Sequence, residues 1–178
     1  MLERVSGKAL GYEPEQVDAL LDRVRRQYES PKLRFLTASM LTSIQFEMSP
    51  GGYRVEQVDD ALAHVADVFE KRDVENRLAR IGRRALALEL KQQLEKIQHV
   101  IDSDPEKRFS PARSGFNKRL VNQLLAEIQV RDGKLSAPDT KNLLTRPLGR
   151  SSGGPSRVEV NDFTSLVIGA KFRQDLLG

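Results

Sequence analysis

The chain has no cysteine, no tryptophan, two histidines and only 6% aromatic residues among its 178. Without cysteine there is no disulfide, no thiolate nucleophile and no thiolate metal site, which suits a reducing compartment. No stretch approaches the ~20 consecutive apolar residues that a membrane-spanning helix needs. The opening residues MLERVSGKALGYEPEQ also lack the apolar core of a signal peptide. The expectation is a cytoplasmic protein, at most peripheral on the inner face of the cell membrane.

Catalytic constellations are equally scarce. His64 and His99 lie far apart in stretches that read as helix, so no histidine-centred acid–base or metal cluster forms in sequence. Asp102, Asp104 and Glu106 lack the twelve-residue cation loop with its closing Glu. The glycine-rich run at 149–154 has neither Gly-Lys-Ser/Thr nor a preceding strand, and no serine sits in a strand-turn-helix elbow. The chain reads as non-enzymatic, with no cofactor, no metal and no small-molecule substrate.

What is present is a recurring unit. Residues 11–24 read GYEPEQVDALLDRV and residues 52–65 read GYRVEQVDDALAHV. A weaker version is GFNKRLVNQLLAEI at 115–128, and a weaker one again is GPSRVEVNDFTSLV at 154–167. Such self-similarity is sought first because it determines the fold reading. Seven residues before each aromatic position stands an apolar anchor: Val5, Phe46, Phe109 and Leu148. Val17, Leu20, Leu21, Val24 and Tyr28 make one helical stripe, and Val58, Ala61, Leu62, Val65 and Phe69 repeat its spacing. The position after the valine is Asp18, Asp59, Asn122 or Asn161, although Asp and Asn are mediocre inside helices. Its predicted role is to accept backbone N–H groups of the preceding loop. The structural motif is thus Gly11, Tyr12, Val17, Asp18, Phe46, Gly52, Tyr53, Val58, Asp59, Phe109, Gly115, Phe116, Asn122 and Asn161.

An apolar anchor, a loop, Gly-Tyr, then Val-Asp-x-x-Leu on a helix resembles the N-terminal domain of DivIVA-type proteins. Several versions in one chain are similar to the DivIVA-domain repeat proteins of actinobacteria. The resemblance implies a scaffold or adaptor for cell division or polar growth that self-associates, binds protein partners and lies on anionic membrane. Lipid contact in that family comes from the loop before Gly-Tyr, where an apolar and a basic residue reach the bilayer. The residues here that fit that role are Lys8, Leu10, Arg113, Leu148 and Arg150. No version keeps the family's aromatic-basic pair: Ala9-Leu10, Pro50-Gly51, Arg113-Ser114 and Ser152-Gly153 stand there instead.

With 29 Lys+Arg against 25 Asp+Glu the net charge is +4, compatible with anionic lipid or nucleic acid. The alternative function is therefore a basic helical nucleic-acid-binding module that uses Arg77, Arg80 and Arg84 on one predicted helical face.

The predicted fold is all-α: repeated loop-plus-helix units around one longer central helix, compact rather than a long coiled coil. The segments are 1–30, 36–73 with a helix continuing or broken at 70–77 and running to about 102, 109–130, and 135–168 with a flexible loop at 146–157. Leu78, Ile81, Ala85 and Leu88 form one stripe of the long helix; Leu86, Leu90, Leu94, Ile97 and Ile101 form another. Neither sustains three heptads of a coiled-coil seam. A boundary near 103–108 would separate two pairs of segments, and a single globule is the favoured arrangement.

Overall fold

Parts of the segments expected as loops before the Gly-aromatic helices form short paired strands. The computed structural model describes residues 2–30 and 35–178; Met1, which opens the first predicted segment, and residues 31–34 lie outside the described residues. The chain divides into two units, Met1–Phe69 and Glu70–Gly178, so the boundary lies inside a helix and not near 103–108.

The first unit holds β1 (Leu10–Tyr12), α1 (Pro14–Glu29), α2 (Ala38–Ser43), β2 (Met48–Pro50) and the opening of α3 (Val55–Asp102). β1 and β2 pair antiparallel, with Leu10 opposite Pro50, Gly11 opposite Ser49 and Tyr12 opposite Met48. Beside them the two Gly-Tyr segments cross. The Tyr12 N–H donates to the Tyr53 carbonyl and the Tyr53 N–H to the Tyr12 carbonyl, both at 2.9 Å. A Cβ on Gly11 would stand 2.7 Å from the Gly52 carbonyl carbon, and one on Gly52 2.6 Å from that of Gly11. Only hydrogen fits there, which explains why the motif begins with glycine.

The second unit holds the rest of α3, then β3 (Pro111–Ala112), β4 (Gly115–Phe116), α4 (Lys118–Ala126), β5 (Gln129–Arg131) and β6 (Lys134–Ser136). After these come α5 (Thr140–Thr145), β7 (Arg150–Ser151), β8 (Gly154–Pro155) and α6 (Arg157–Leu177). β3 pairs with β8 and β4 with β7, both antiparallel. Gly115 and Gly154 touch there as Gly11 and Gly52 do, and a Cβ on Gly115 would press on the Gly154 and Pro155 backbone. Leu94 and Ile97 of α3, Val121, Leu124 and Leu125 of α4, and Phe163 and Val167 of α6 form the core.

The all-α expectation is overturned: the described residues contain four two-stranded antiparallel sheets among the helices. Nor do four loop-plus-helix units surround one central helix; the strands join 10–12 to 48–50 and 111–116 to 150–155. Strands of two or three residues carry no readable alternation, and their partners are distant in sequence. The 146–157 stretch, expected as a flexible loop, carries β7 and β8 and packs Leu148 into the core.

Two smaller expectations change as well, and one unforeseen hairpin forms. Residues 70–77 are helical, with Val74 2% exposed, and the interruption comes at Gly82 (φ 80, ψ 164). Arg77 and Glu89 are ion-paired across that point, whereas twelve residues of straight helix would rise about 18 Å. α3 therefore turns sharply at Gly82. In α1 the stripe ends on Gln27 rather than Tyr28, which is 62% exposed. The buried Gln27 amide donates to the Leu36 carbonyl at 2.7 Å, and its oxygen accepts from Phe35 N and Leu36 N at 2.9 and 2.8 Å. An amide bonded through both its nitrogen and its oxygen costs little to bury. Finally, Asp132 and Gly133, both at positive φ, turn β5 into β6. An Asp-Gly pair between Val130 and Leu135 is a strong hairpin signal in the sequence alone.

Replacing Gly52 with Ala should destabilise the chain by about 3 kcal/mol or more, because backbone rather than a mobile side chain blocks the new methyl. Glu15→Ala on the exposed face of α1 should cost under ~0.5 kcal/mol. Denaturant melts of the two variants check the contrast, and similar midpoints would contradict the close approach.

Candidate functional site

The crossing in the first unit uses the motif residues reciprocally. Gln16 of the first segment accepts the Glu47 N–H at 2.9 Å, and Gln57 of the second accepts the Glu3 N–H at 2.7 Å. The Tyr53 hydroxyl donates to Asp18 Oδ1 at 3.1 Å, and the Tyr12 hydroxyl bonds Asp59 in return. The predicted role of the Asp thus changes. The glutamines receive the backbone N–H groups, and Asp18 and Asp59 receive the tyrosine of the opposite segment. Val17 and Val58 are fully buried beneath, and Phe46 packs on the Tyr12 ring at 5.0 Å.

In the second unit Glu159 takes the place of the glutamine, accepting the Ser110 N–H at 2.7 Å. Phe116 and Pro155 offer no hydroxyl, and the facing positions carry Asn122 and Asn161 rather than Asp. A carboxylate there would lack the donor that Asp18 and Asp59 have. Phe109 packs edge-on to Phe163 at 6.1 Å.

Burial pushes the Tyr12 hydroxyl up to about 12, with the nearby Asp59 carboxylate adding to it. Burial also raises the Asp59 carboxyl above its usual range, while the Tyr12 hydrogen bond pulls it down and Asp60 and Glu56 raise it further.

This locked crossing projects a tip. Gly7 and Gly51 reverse the two chain segments, and Gly51 N–H donates to the Ala9 carbonyl at 3.2 Å, tying the turns together. Residues directly opposite in an antiparallel pair share a face, so Leu10, Pro50, Tyr12 and Met48 lie on one side of the ribbon. Leu10 is 56% exposed and Met48 48% exposed. Pro50, Ala9 and Lys8 are exposed beside them. The result is an apolar surface with a lysine at its end, held on a hydrogen-bonded frame. Met48 and Pro50 are members that the sequence reading missed; their pairing with β1 is invisible until the chain folds.

The other proposed contacts separate. Arg113 and Arg150 are exposed at the ribbons of the second unit, among Ser114, Ser152 and Gly153. Leu148 is 8% exposed inside the core, so it packs rather than meets lipid. Arg77, Arg80 and Arg84 do not share a continuous helical face, because Gly82 breaks the helix between them. Arg77 is also engaged by Glu89, whose carboxyl the arginine's hydrogen bonds hold below the usual range. His64 and His99 are both exposed. Asp104 accepts the Glu106 N–H in a local turn at 3.0 Å, and Asp102 accepts from Gln98 on the preceding helical turn at 2.8 Å.

No family model matches the chain, and neither a curated protein nor a solved structure matches it. No helix among the described residues is long and apolar enough to cross a membrane.

The tyrosine–aspartate pairing has a pH signature. A folded value raised above the unfolded one means that the Tyr12 contribution is intact below pH ~10 and is lost as pH climbs through the folded value. That folded value is about 12. Tyr12→Phe should remove from the phenolate absorbance of the folded protein the component that titrates near pH 12. The same change should flatten the alkaline fall in stability, followed by denaturant melts at stepped pH.

Proposed function

We propose that the chain is a non-enzymatic scaffold or adaptor of the DivIVA-like kind, resting on the inner membrane surface through the tip of its first unit. The observation that carries this reading is the exposed ribbon face of Leu10, Met48 and Pro50 with Lys8 beside it. Apolar side chains left half in water on a rigid two-stranded frame are ready to enter the headgroup–acyl boundary.

The magnitudes set the character of the attachment. Burying the remaining exposed parts of Leu10 and Met48 contributes about 1 kcal/mol each. A lysine near anionic lipid adds about 1 kcal/mol more. About 3 kcal/mol is a reversible hold, so firm attachment requires several chains acting together. That fits a scaffold whose residence on the membrane depends on its own local concentration.

Cosedimentation with vesicles tests the proposal. The protein should pellet with acidic vesicles and less with neutral ones. Leu10→Glu should lower the partition about tenfold or more, since it removes apolar burial and adds a like charge. Lys8→Ala should weaken binding to acidic vesicles and leave binding to neutral ones unchanged. Wild-type protein that stays in the supernatant with both lipids would remove the membrane reading.

A further inference from the structure

The turn at Gly82 joins two helical arms of α3 within the second unit, residues 70–81 and 83–102. Helical hairpins ordinarily use two to five loop residues, whereas here the backbone leaves helical geometry at one residue, Gly82, with φ 80 and ψ 164. That backbone region is open essentially to glycine alone. One residue's torsions therefore separate a bent α3 from a straight one.

The contacts that close the turn are self-complementary. Arg77 on the first arm meets Glu89 on the second, with Nε 2.9 Å from Oε1. Arg173 of α6 lies 3.8 Å from Glu70 on the first arm and 3.8 Å from Glu89 on the second. Val74 is buried on one arm and Leu86 on the other. Each of these contacts can be remade unchanged with the first arm of another copy.

A second observation points the same way. Leu78, Ile81, Ala85 and Leu88 step by three, four and three residues, the spacing of a coiled-coil seam. The turn at Gly82 divides that stripe: Leu88 is left 58% exposed, and Leu78, Ile81 and Ala85 are half-buried. In a straight helix the four become one continuous apolar line at the midpoint, where two exchanging helices would cross.

We propose that Gly82 is a hinge through which two copies of this chain exchange arms. Residues 70–81 of one copy dock on the second arm and α6 of the other, and the 78–88 stripes cover each other. A one-residue connection is the kind of hinge that favours such exchange. The inference stands apart from the membrane reading, since it concerns only the second unit.

The test uses the full chain. Gly82→Ala penalises the bent form and favours the straight one, together on the order of a hundredfold per chain. Light scattering after gel filtration should then read twice the chain mass. Inserting Gly-Ser after Gly82 relaxes the hinge and should give a monomer. Arg77→Glu and Glu89→Arg should each lower the melting temperature alone. Refolded together, they should recover part of it as a mixed dimer, because one cross-pair is native and the other is charge-reversed but matched, while Arg173 beside position 89 keeps a like-charge cost. Monomeric Gly82→Ala would overturn the proposal, as would a dimer of that variant alongside a charge mixture that shows no recovery. Should Gly82→Ala fail to fold, the mixture decides alone.

Discussion

Two backbones approach to hydrogen-bonding distance at Gly11 and Gly52, and most of the first unit follows from that approach. Beside the Tyr12–Tyr53 main-chain exchange, further donors of each segment bond main-chain carbonyls across the crossing, and two are taken by side chains of the other segment's helix. Gln16 and Gln57 take backbone N–H groups across the crossing, and Asp18 and Asp59 take the phenols. The shared letters Gly-Tyr-x-x-x-Gln-Val-Asp are thus four answers to one constraint: space at the contact, a lid, an acceptor for stranded N–H groups, and an acceptor for the lid. Val17 and Val58 seat the construction on the helices.

The helices were legible because their signal is local. Val17, Leu20, Leu62 and Phe69 recur at helical spacing and are buried as that spacing requires. The strands were not, because the short pairings depend on partners far along the chain. Tyr28 and Gln27 show a subtler limit: a pattern ranks residues by apolarity, yet an amide with three backbone partners outcompetes a tyrosine for the interior. The arginines show another. Arg77, Arg80 and Arg84 share a face only if the helix is uninterrupted, and Gly82, which interrupts it between Arg80 and Arg84, was not singled out in the sequence. Of the candidate contact residues, Lys8 and Leu10 could be read from their place before Gly-Tyr. Met48 and Pro50 join them only through strand register.

The same crossing carries different surfaces in the two units. In the first, tyrosine is matched with aspartate and the tip is apolar; in the second, phenylalanine and proline accompany asparagine, and the tip residues are serine, glycine and arginine. The frame tolerates this because its main-chain bonds do not depend on what the turns display. Binding chemistry can change at the turns while the glycines stay under steric constraint.

The crossings also govern how the protein reaches its native state. Gly11 and Gly52, like Gly115 and Gly154, lie about 40 residues apart, so the chain must close a long loop before either contact returns any free energy. Helical segments can form within microseconds, but the interlocked ends must wait for a diffusive search between preformed pieces. Until that search succeeds, the glycine-tyrosine edges expose unpaired main-chain groups, the condition in which chains at high concentration find one another. Slow ring-like closure, rather than weak local propensity, is then the step at which a newly made chain is most exposed to misassembly.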